Sequence, residues 1–199
     1  MEDRPKGYEG VAPEFLAGRG SPKSSGIGAR DVRAWAGRLP PGAAVLELGC
    51  GTGMPITREL VEEGLEVYAV DAAPTLVAAF QRNFPGVPVV CETAESSALF
   101  DRQFDAVLAW GLLFLLSPDD QRTVLARMGQ VLKPGGRLLF TSPPEPIEWN
   151  DAMTGLHSQS LGRTEYLRLL EAAGLTVEQE YEDVGDNHYY DAVKVAAGT

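Results

Sequence analysis

The chain has 199 residues, of which 44% are hydrophobic, and its formal net charge at pH 7 is −11. This length and composition are ordinary for one globular domain with a sizeable core. The negative charge argues against nucleic acid as a partner, because phosphate binding requires clustered lysine and arginine. No apolar run approaches the ~20 residues of a membrane span, and the N-terminus lacks a secretory signal. We therefore expect a cytoplasmic protein without a membrane partner.

Helices and strands are predicted to alternate along the chain after a loop-rich segment rich in glycine, proline, serine and charge. Helical spacing of apolar residues, with proline and glycine at the ends, predicts helices at 28–39, 55–64, 73–84, 119–132 and 163–174. Apolar runs between turn signals predict strands at 43–48, 65–71, 87–92, 104–110, 136–142, 175–183 and 189–197. We expect an N-terminal lid or helical segment at 1–39 and one domain at 40–199.

This alternation predicts the α/β class, with right-handed crossovers and a doubly wound, mostly parallel sheet of seven strands with helices on both faces. The last two predicted strands are joined only by "VGDNH" (184–188). Parallel neighbours need a crossover of about a dozen residues or more, so this final pair must be antiparallel.

The two cysteines, Cys50 and Cys91, are predicted at the ends of the first and third strands, with the second strand between them. Two strand spacings separate them by about 9–10 Å, whereas a disulfide needs Cα atoms within about 7 Å. Both are therefore predicted to be free thiols in a reducing compartment. Without a CxxC spacing they also argue against zinc, and we expect no metal site.

A glycine-rich turn follows the first strand in "VLELGCGTGMP" (45–55), with glycines at 49, 51 and 53. Such bare backbone lets a chain turn sharply and lets a ligand approach it. Met54 stands where the dinucleotide fingerprint has its last glycine, which disfavours the alternative of a nicotinamide-dependent reductase. Glu47 would repel a pyrophosphate, so the turn suits a cationic ligand with an amine and a sulfonium.

The segment "VLELGCGTG" resembles the first motif of class I S-adenosylmethionine-dependent methyltransferases. Further segments resemble that family in the same order, at 67–77, 89–96, 104–116 and 131–140. The resemblance covers residues 40–142 well and the remaining elements in topology. It implies the strand order 3-2-1-4-5-7-6 with the last strand antiparallel, S-adenosyl-L-methionine as cofactor and S-adenosyl-L-homocysteine as product.

The resemblance also implies a set of cofactor-binding residues. These are Glu47, Gly49, Cys50, Gly51, Gly53, Asp71, Ala72, Thr93, Ala94, Glu95 and Trp110. Asp71 carries two carboxylate oxygens for the two ribose hydroxyls, and the helix start near Pro55 offers free amides to the cofactor carboxylate. Thr93 stands where the family often has aspartate, which leaves Glu95 or a backbone group as the alternative contact to the adenine amino group.

The residues at the end of the fourth strand, "AWGL" (109–112), narrow the choice among classes of methyl acceptor. It lacks the Asn/Asp-Pro-Pro-aromatic motif of many amino-group methyltransferases, and neither cysteine follows a proline as in cytosine-carbon enzymes. Trp110 stands where catechol-type enzymes carry the first acid of a metal site. The hypothesis that remains is metal-independent transfer to a small-molecule O, N or S acceptor. A protein side-chain methyltransferase and a non-catalytic cofactor-binding or regulatory protein stay open as alternatives.

The carboxyl ends of the strands locate the acceptor pocket. The 143–162 segment and the 184–188 turn both start from that edge, so His157 and His188 are candidates for a general base, or for hydrogen bonds within loops. Candidate substrate contacts are Trp149, Tyr189, Tyr8 and Arg19. Trp149 would stack on a flat substrate or merely fill a loop. Positioning and water exclusion supply most of such catalysis, so a dedicated base is not required. The chain is expected to be a monomer or a homodimer.

Overall fold

A computed structural model describes residues 7–18, 26–151, 155 and 157–195. The helices are α1 (Ala12–Ala17), α2 (Ala29–Ala36), α3 (Ile56–Glu62), α4 (Pro74–Asn83), α5 (Pro118–Val131) and α6 (Arg163–Ala172). The strands are β1 (Ala44–Leu48), β2 (Glu66–Asp71), β3 (Val89–Cys91), β4 (Phe104–Ala109), β5 (Leu132–Thr141), β6 (Glu148–Asn150), β7 (His157–Gln159), β8 (Leu175–Glu182) and β9 (His188–Lys194). Short 3-10 turns cover Gly7–Val11, Leu99–Asp101 and Leu113–Leu115.

The main sheet has seven strands in the order β3-β2-β1-β4-β5-β9-β8. The first five are parallel to one another, and β9 is antiparallel to both of its neighbours. The predicted α/β fold with one antiparallel strand is confirmed. The numbering differs because a separate hairpin, β6 paired with β7, lies within the predicted 143–162 loop, so β8 and β9 are the sixth and seventh strands of the sheet.

Each face of the sheet is covered by helices and forms its own hydrophobic core. All five residues of β1 are buried, as expected of a central parallel strand with helices on both faces. One core includes Tyr166 of α6 and Phe140 of β5. The other includes Trp35 of α2 and Leu60 of α3. Together they hold the parallel strands in register.

The carboxyl ends of β1, β2, β4 and β5 meet at one edge of the sheet, which we call the rim. The glycine turn lies there, between β1 and α3, and so do Asp71, Trp110 and Ser142. Cys50 in the turn is a buried free thiol and Cys91 at the end of β3 an exposed one, as predicted. In the part of the chain that is described, no helix is long and apolar enough to cross a membrane.

Candidate active site

The three glycines of the turn have backbone conformations that side chains disfavour. Their φ angles are +73° at Gly49, +55° at Gly51 and +81° at Gly53. A Cβ atom at Gly53 would lie 2.3 Å from Cε2 of Phe84, and one at Gly49 would lie 3.2 Å from Cβ of Leu112. Glycine is therefore required both by conformation and by the close approach of neighbouring side chains.

Asp71, at the end of β2, holds this turn from the neighbouring strand. Its Oδ2 accepts a hydrogen bond from the Gly51 amide at 2.7 Å, and its Oδ1 accepts one from the Ala73 amide at 2.9 Å. Burial raises the pKa of Asp71, against the lowering effect of these two bonds. Each carboxylate oxygen has a second lone pair, so both remain able to accept a hydroxyl of a ribose.

Glu47, on β1 beneath the turn, is only 2% exposed. Its Oε2 accepts a hydrogen bond from the Thr57 hydroxyl of α3 at 2.6 Å. Burial raises the pKa of Glu47 to about 8, Thr57 acts in the opposite direction, and the charge of Asp71 adds to the rise. Among the described residues, no basic side chain acts on Glu47 or Asp71. A cationic ligand in the rim would supply the missing positive charge.

The segment expected to line an adenine turns beside Asp71. Cys91 of β3 is the register partner of Asp71, and the chain turns again directly afterwards, where the Thr93 carbonyl accepts from the Ser97 amide at 2.9 Å. The Thr93 and Ser96 hydroxyls share a hydrogen bond of 2.6 Å. Ala94 is buried, whereas Glu95 is half-buried and has no hydrogen-bond or ion-pair partner among the described residues. Glu95 therefore stays a candidate for the adenine contact.

The N-terminal segment at 7–18 covers the turn from outside. The Phe15 ring lies 3.4 Å from the position of a Cβ at Gly51. Tyr8 packs against Phe15 with ring centroids 5.2 Å apart, so this predicted substrate contact lies in the covering segment. Arg19, another predicted contact, lies outside the described residues.

Glu9 binds this segment to α4, a contact that no pattern in the sequence predicted. Its carboxylate accepts from the Thr75 amide at 3.0 Å and from the Thr75 hydroxyl at 2.7 Å. The N-cap residue of α4, Ala73, has no side-chain hydrogen bond of its own. Glu9 thus caps the helix from a distant part of the chain, next to the carboxylate of Asp71.

Trp110, directly after β4, and Tyr189 of β9 are joined by a hydrogen bond. The indole Nε1 donates to the Tyr189 hydroxyl oxygen at 2.8 Å. Tyr189 is fully buried and stacks on Tyr181 with centroids 4.8 Å apart. Its prediction as a substrate contact is wrong, because Tyr189 is fully buried and its hydroxyl is bound by Trp110 and Asp183.

The hairpin of β6 and β7 carries the other two predicted residues of this region. Trp149 is half-buried and packs on Phe114, with ring centroids 5.4 Å apart, so one aromatic pair stands beside the end of β4. The His157 side chain is 56% exposed, with Nε2 3.7 Å from Oε2 of Glu148 across the hairpin. The structure brings Trp149 to the rim and leaves His157 on the surface of the hairpin.

His188 lies at the rim, where its carbonyl accepts from the Ser142 amide at 3.1 Å. Its Nε2 is 3.3 Å from Oε2 of Glu180, and Arg163 binds the same carboxylate with two nitrogens. The Nδ1 of His188 is buried without a hydrogen-bond partner among the described residues. The ring is therefore held on the β8 side, and its role as a base stays a prediction.

The sheet order and the pinned glycine turn define the fold of class I S-adenosylmethionine-dependent methyltransferases. Residues 45–136 match a family model described as "Methyltransferase domain". This segment, just under half of the chain, is thus similar to a methyltransferase domain. Its residues fit that cofactor, since the turn offers bare backbone, Asp71 offers free lone pairs and Glu47 lacks a positive partner. In the described part of the chain, no group of three or more His, Cys, Asp or Glu could hold a metal ion.

Known proteins similar to the chain include an uncharacterised methyltransferase of Mycobacterium tuberculosis H37Rv, 38% identical over 118 residues, covering 56% of this chain and 46% of the relative. A demethylmenaquinone methyltransferase of Corynebacterium urealyticum is 36% identical over 110 residues, covering 55% and 45%. The chain thus spans about half the length of the curated relatives it matches. The solved structure of an amino pentose methyltransferase from Micromonospora echinaspora, with S-adenosylmethionine bound, is 21% identical with a TM-score of 0.70, covering 89% of this chain and 94% of that one.

Proposed function

We propose that this chain transfers a methyl group from S-adenosylmethionine to an O, N or S atom of a small molecule, without a metal ion. The observation that carries the proposal is the hydrogen bond from the Gly51 amide to Asp71. It joins the two places where a class I enzyme holds its cofactor, and beneath them lies the buried Glu47, whose pKa is raised to about 8 and which a bound cation would ionise. The relatives named above act on small molecules where their names state a substrate, which supports the same class of acceptor.

The cofactor, when bound, supplies a methyl group on a positively charged sulfonium. We assign the ribose hydroxyls to Asp71, the amino-acid end to the backbone of the turn, and the adenine to Thr93, Ala94 and Glu95. Glu47 balances the positive charge. The chain would act mainly by holding the reacting atoms in line and by excluding water, which is consistent with a His188 ring already engaged by Glu180.

We assign the covering segment, within residues 1–39, the role of a lid. Ala12 is 1% exposed and packs with Ala73 and Leu76 of the helix that follows Asp71. Phe15 lies over Gly51. A cofactor bound against this turn would therefore be shielded from water by the segment, which is what methyl transfer requires.

On the acceptor side, the aromatic pair Phe114 and Trp149 supports a substrate with a flat or apolar part. The pair stands at the rim on the hairpin side. Aromatic faces bind flat rings by offset or edge contacts that add to the burial of apolar area. Trp110 occupies the position where a metal-dependent relative would need its first acid, which supports metal-independent transfer.

Isothermal titration with S-adenosylmethionine and S-adenosylhomocysteine tests the proposal. We expect both to bind the wild type, and Asp71→Asn to lose about 100-fold in affinity, because hydrogen bonds to a charged group contribute about 1.5–3 kcal/mol each. Asp119→Asn is the matched control, since that side chain is 96% exposed on α5. If neither compound binds the wild type, the proposal fails.

Turnover distinguishes an enzyme from a protein that only binds the cofactor. The assay incubates the protein with S-adenosylmethionine and a panel of phenols, amines, thiols and carboxylates, and measures S-adenosylhomocysteine release. We expect release with at least one flat or apolar acceptor, and its loss in Asp71→Asn. Tight binding without release for any acceptor class would support the non-catalytic alternative.

Glu9→Ala is expected to speed cofactor dissociation several-fold and to lower the free energy of unfolding by about 1 kcal/mol, the usual cost of losing a helix cap. The variant removes both hydrogen bonds to Thr75 and so frees the lid from α4. Stopped-flow displacement gives the dissociation rate and urea unfolding the stability. Glu14→Ala, an exposed glutamate of the same segment, is the control. Equal dissociation rates in the two variants would contradict the role assigned to Glu9.

A further inference from the structure

Trp110 occupies a central position in the proposed site. It follows β4 directly, and β4 is the register partner of β1, the strand that leads into the glycine turn. Trp110 is half-buried and packs against the core that includes Trp35 and Leu60. The orientation of this ring therefore decides which chemical groups an acceptor meets beside the cofactor.

A directed chain of hydrogen bonds fixes the indole. The indole N–H can only donate, and it donates to the Tyr189 oxygen at 2.8 Å. Tyr189 then has a single proton to donate, and that proton goes to Oδ2 of Asp183 at 2.8 Å. The direction of each bond follows from the donor at one end and the carboxylate at the other. The single indole N–H is thus occupied by Tyr189 of β9.

Asp183 is the final acceptor of these hydrogen bonds, and its carboxylate is held in place by several others. Its Oδ1 accepts from the Gly185 amide at 2.8 Å and from the Asn187 amide at 3.1 Å, and the Asn187 side chain donates to both carboxylate oxygens at 3.0 Å. Burial opposes the charge on Asp183, but these bonds and that from Tyr189 hold its pKa below the ordinary value. Burial also raises the pKa of Tyr189 far above its usual range. Across neutral pH Asp183 is therefore ionised and accepts, while Tyr189 keeps the proton that it donates.

Backbone from the N-terminal side closes on the same indole. Gly28, the N-cap of α2, has a φ of +81°, and a Cβ there would lie 2.6 Å from Cε2 and Nε1 of Trp110. Ile27 reaches the β8–β9 turn, where a Cβ at Gly185 would lie 2.6 Å from its Cγ2. Gly28 thus packs closely against the indole whose N–H is bound by Tyr189.

We propose that Tyr189 and Asp183 are positioning residues for methyl transfer, which act through Trp110 by holding its indole N–H away from the acceptor so that only the ring face lines the site. This inference rests on the proposed function for the identity of the reaction. It assigns specificity to the network, because an acceptor beside the methyl group meets a π surface and no hydrogen-bond donor from Trp110. Acceptors with flat rings at the attacked position are favoured by such a wall.

Indole N–H signals of the ¹⁵N-labelled protein test the network without any turnover. The chain has three tryptophans, so Trp110→Phe identifies the signal of Trp110 by its disappearance. In Tyr189→Phe the indole loses its acceptor, and we expect the Trp110 signal to move upfield and to exchange faster with solvent. Tyr181→Phe is the matched control, because Tyr181 stacks on Tyr189 and its hydroxyl takes no part in the hydrogen bonds from Trp110 to Tyr189 and from Tyr189 to Asp183. An unmoved Trp110 signal in Tyr189→Phe overturns the proposal.

Kinetics then separate positioning from a general loss of structure. For Tyr189→Phe we expect kcat/KM for the acceptor to fall about tenfold, the effect of one lost hydrogen bond worth about 1.4 kcal/mol, while the Kd of S-adenosylmethionine changes less than about twofold. Asp183→Asn is expected to show the same split. If kcat/KM for the acceptor and the affinity for S-adenosylmethionine fall by the same factor, the proposal is overturned. A wild type that never turns over contradicts the proposed function alone, since the indole signals still decide whether the network exists.

Discussion

Replacing Glu47 by glutamine is expected to make the ligand-free protein more stable above neutral pH. Glu47 is 2% exposed and its pKa is raised to about 8. An acid with a raised pKa binds more protons in the folded state than in the unfolded state, so its favourable contribution is complete below about pH 4.5 and is lost as pH rises through 8. Glutamine resembles the protonated acid in shape and does not titrate. It therefore keeps that contribution at every pH.

The effect is measurable by unfolding at two pH values. Between pH 6 and pH 8 the wild type should lose about 2 kcal/mol relative to Glu47→Gln, or about 5 °C in melting temperature for a chain of this size. Glu171→Gln, an exposed glutamate of α6, controls for the general effect of losing a charge. A stability difference that does not change with pH would show that Glu47 is not titrating in this range.

The same substitution is expected to weaken cofactor binding as it stabilises the protein. A cation bound near Glu47 favours the carboxylate, so binding of S-adenosylmethionine below pH 8 should release a proton. Calorimetry in buffers of different ionisation enthalpy counts that proton. We expect wild-type affinity to rise up to tenfold per pH unit from 6 to 8, and a flat, weaker profile for glutamine. If the affinities of the two proteins for S-adenosylmethionine changed with pH in the same way, Glu47 would not be part of the cofactor site.

Among the substitutions that add one methyl group to a glycine of the turn, Gly53→Ala is expected to destabilise the protein most. The added Cβ would lie 2.3 Å from Cε2 of Phe84 and 3.1 Å from Cδ2 of Phe80, and the φ of +81° is strained for alanine. Strain of about 1–2 kcal/mol and overpacking of about 1–3 kcal/mol add together. Cofactor binding should be lost as well, because the turn cannot keep its shape while Phe84 moves.

Gly135→Ala separates strain from overpacking. Gly135 has a φ of +76°, close to that of Gly53, but nothing lies within 4 Å of the position of its Cβ. Urea unfolding of both variants should show a loss of about 1 kcal/mol at position 135 and several times that at position 53. If the two variants lost the same free energy of unfolding, the Phe84 and Phe80 rings would have moved away from the added methyl group at little cost.

The part of the site closest to the sheet could be predicted from sequence. An apolar strand, three closely spaced glycines and a helix are local signals, and Asp71 follows at the end of the next apolar run. Since parallel strands end at one edge, these residues had to meet. The proximity of Gly51 and Asp71 therefore follows from the topology, whereas their roles in cofactor binding are implied by the family resemblance and the hydrogen bond between them was not predicted.

The contacts that complete the site have no local signature. Glu9 and Thr75 are 66 positions apart, and Trp110 and Tyr189 are 79 apart. A strand was predicted at 189–197, but the burial of Tyr189 at its start was not, because it depends on pairing with β5 and on the distant partners Trp110 and Asp183. The hairpin of β6 and β7 was missed because its strands, "EWN" and "HSQ", have three residues each, too few for an alternation of apolar and polar residues to stand out.

The bond between Asp71 and the Gly51 amide bears on the entropy of cofactor binding. The turn is already closed by this bond before any ligand arrives. Its backbone therefore loses little conformational entropy when a ligand binds. Rigid sites of this kind bind more tightly because the entropic cost of ordering them is small. The segment at 7–18 already covers the turn and is bound to α4 through Glu9, so the rate of binding should report the opening of that segment and not the folding of the glycine turn.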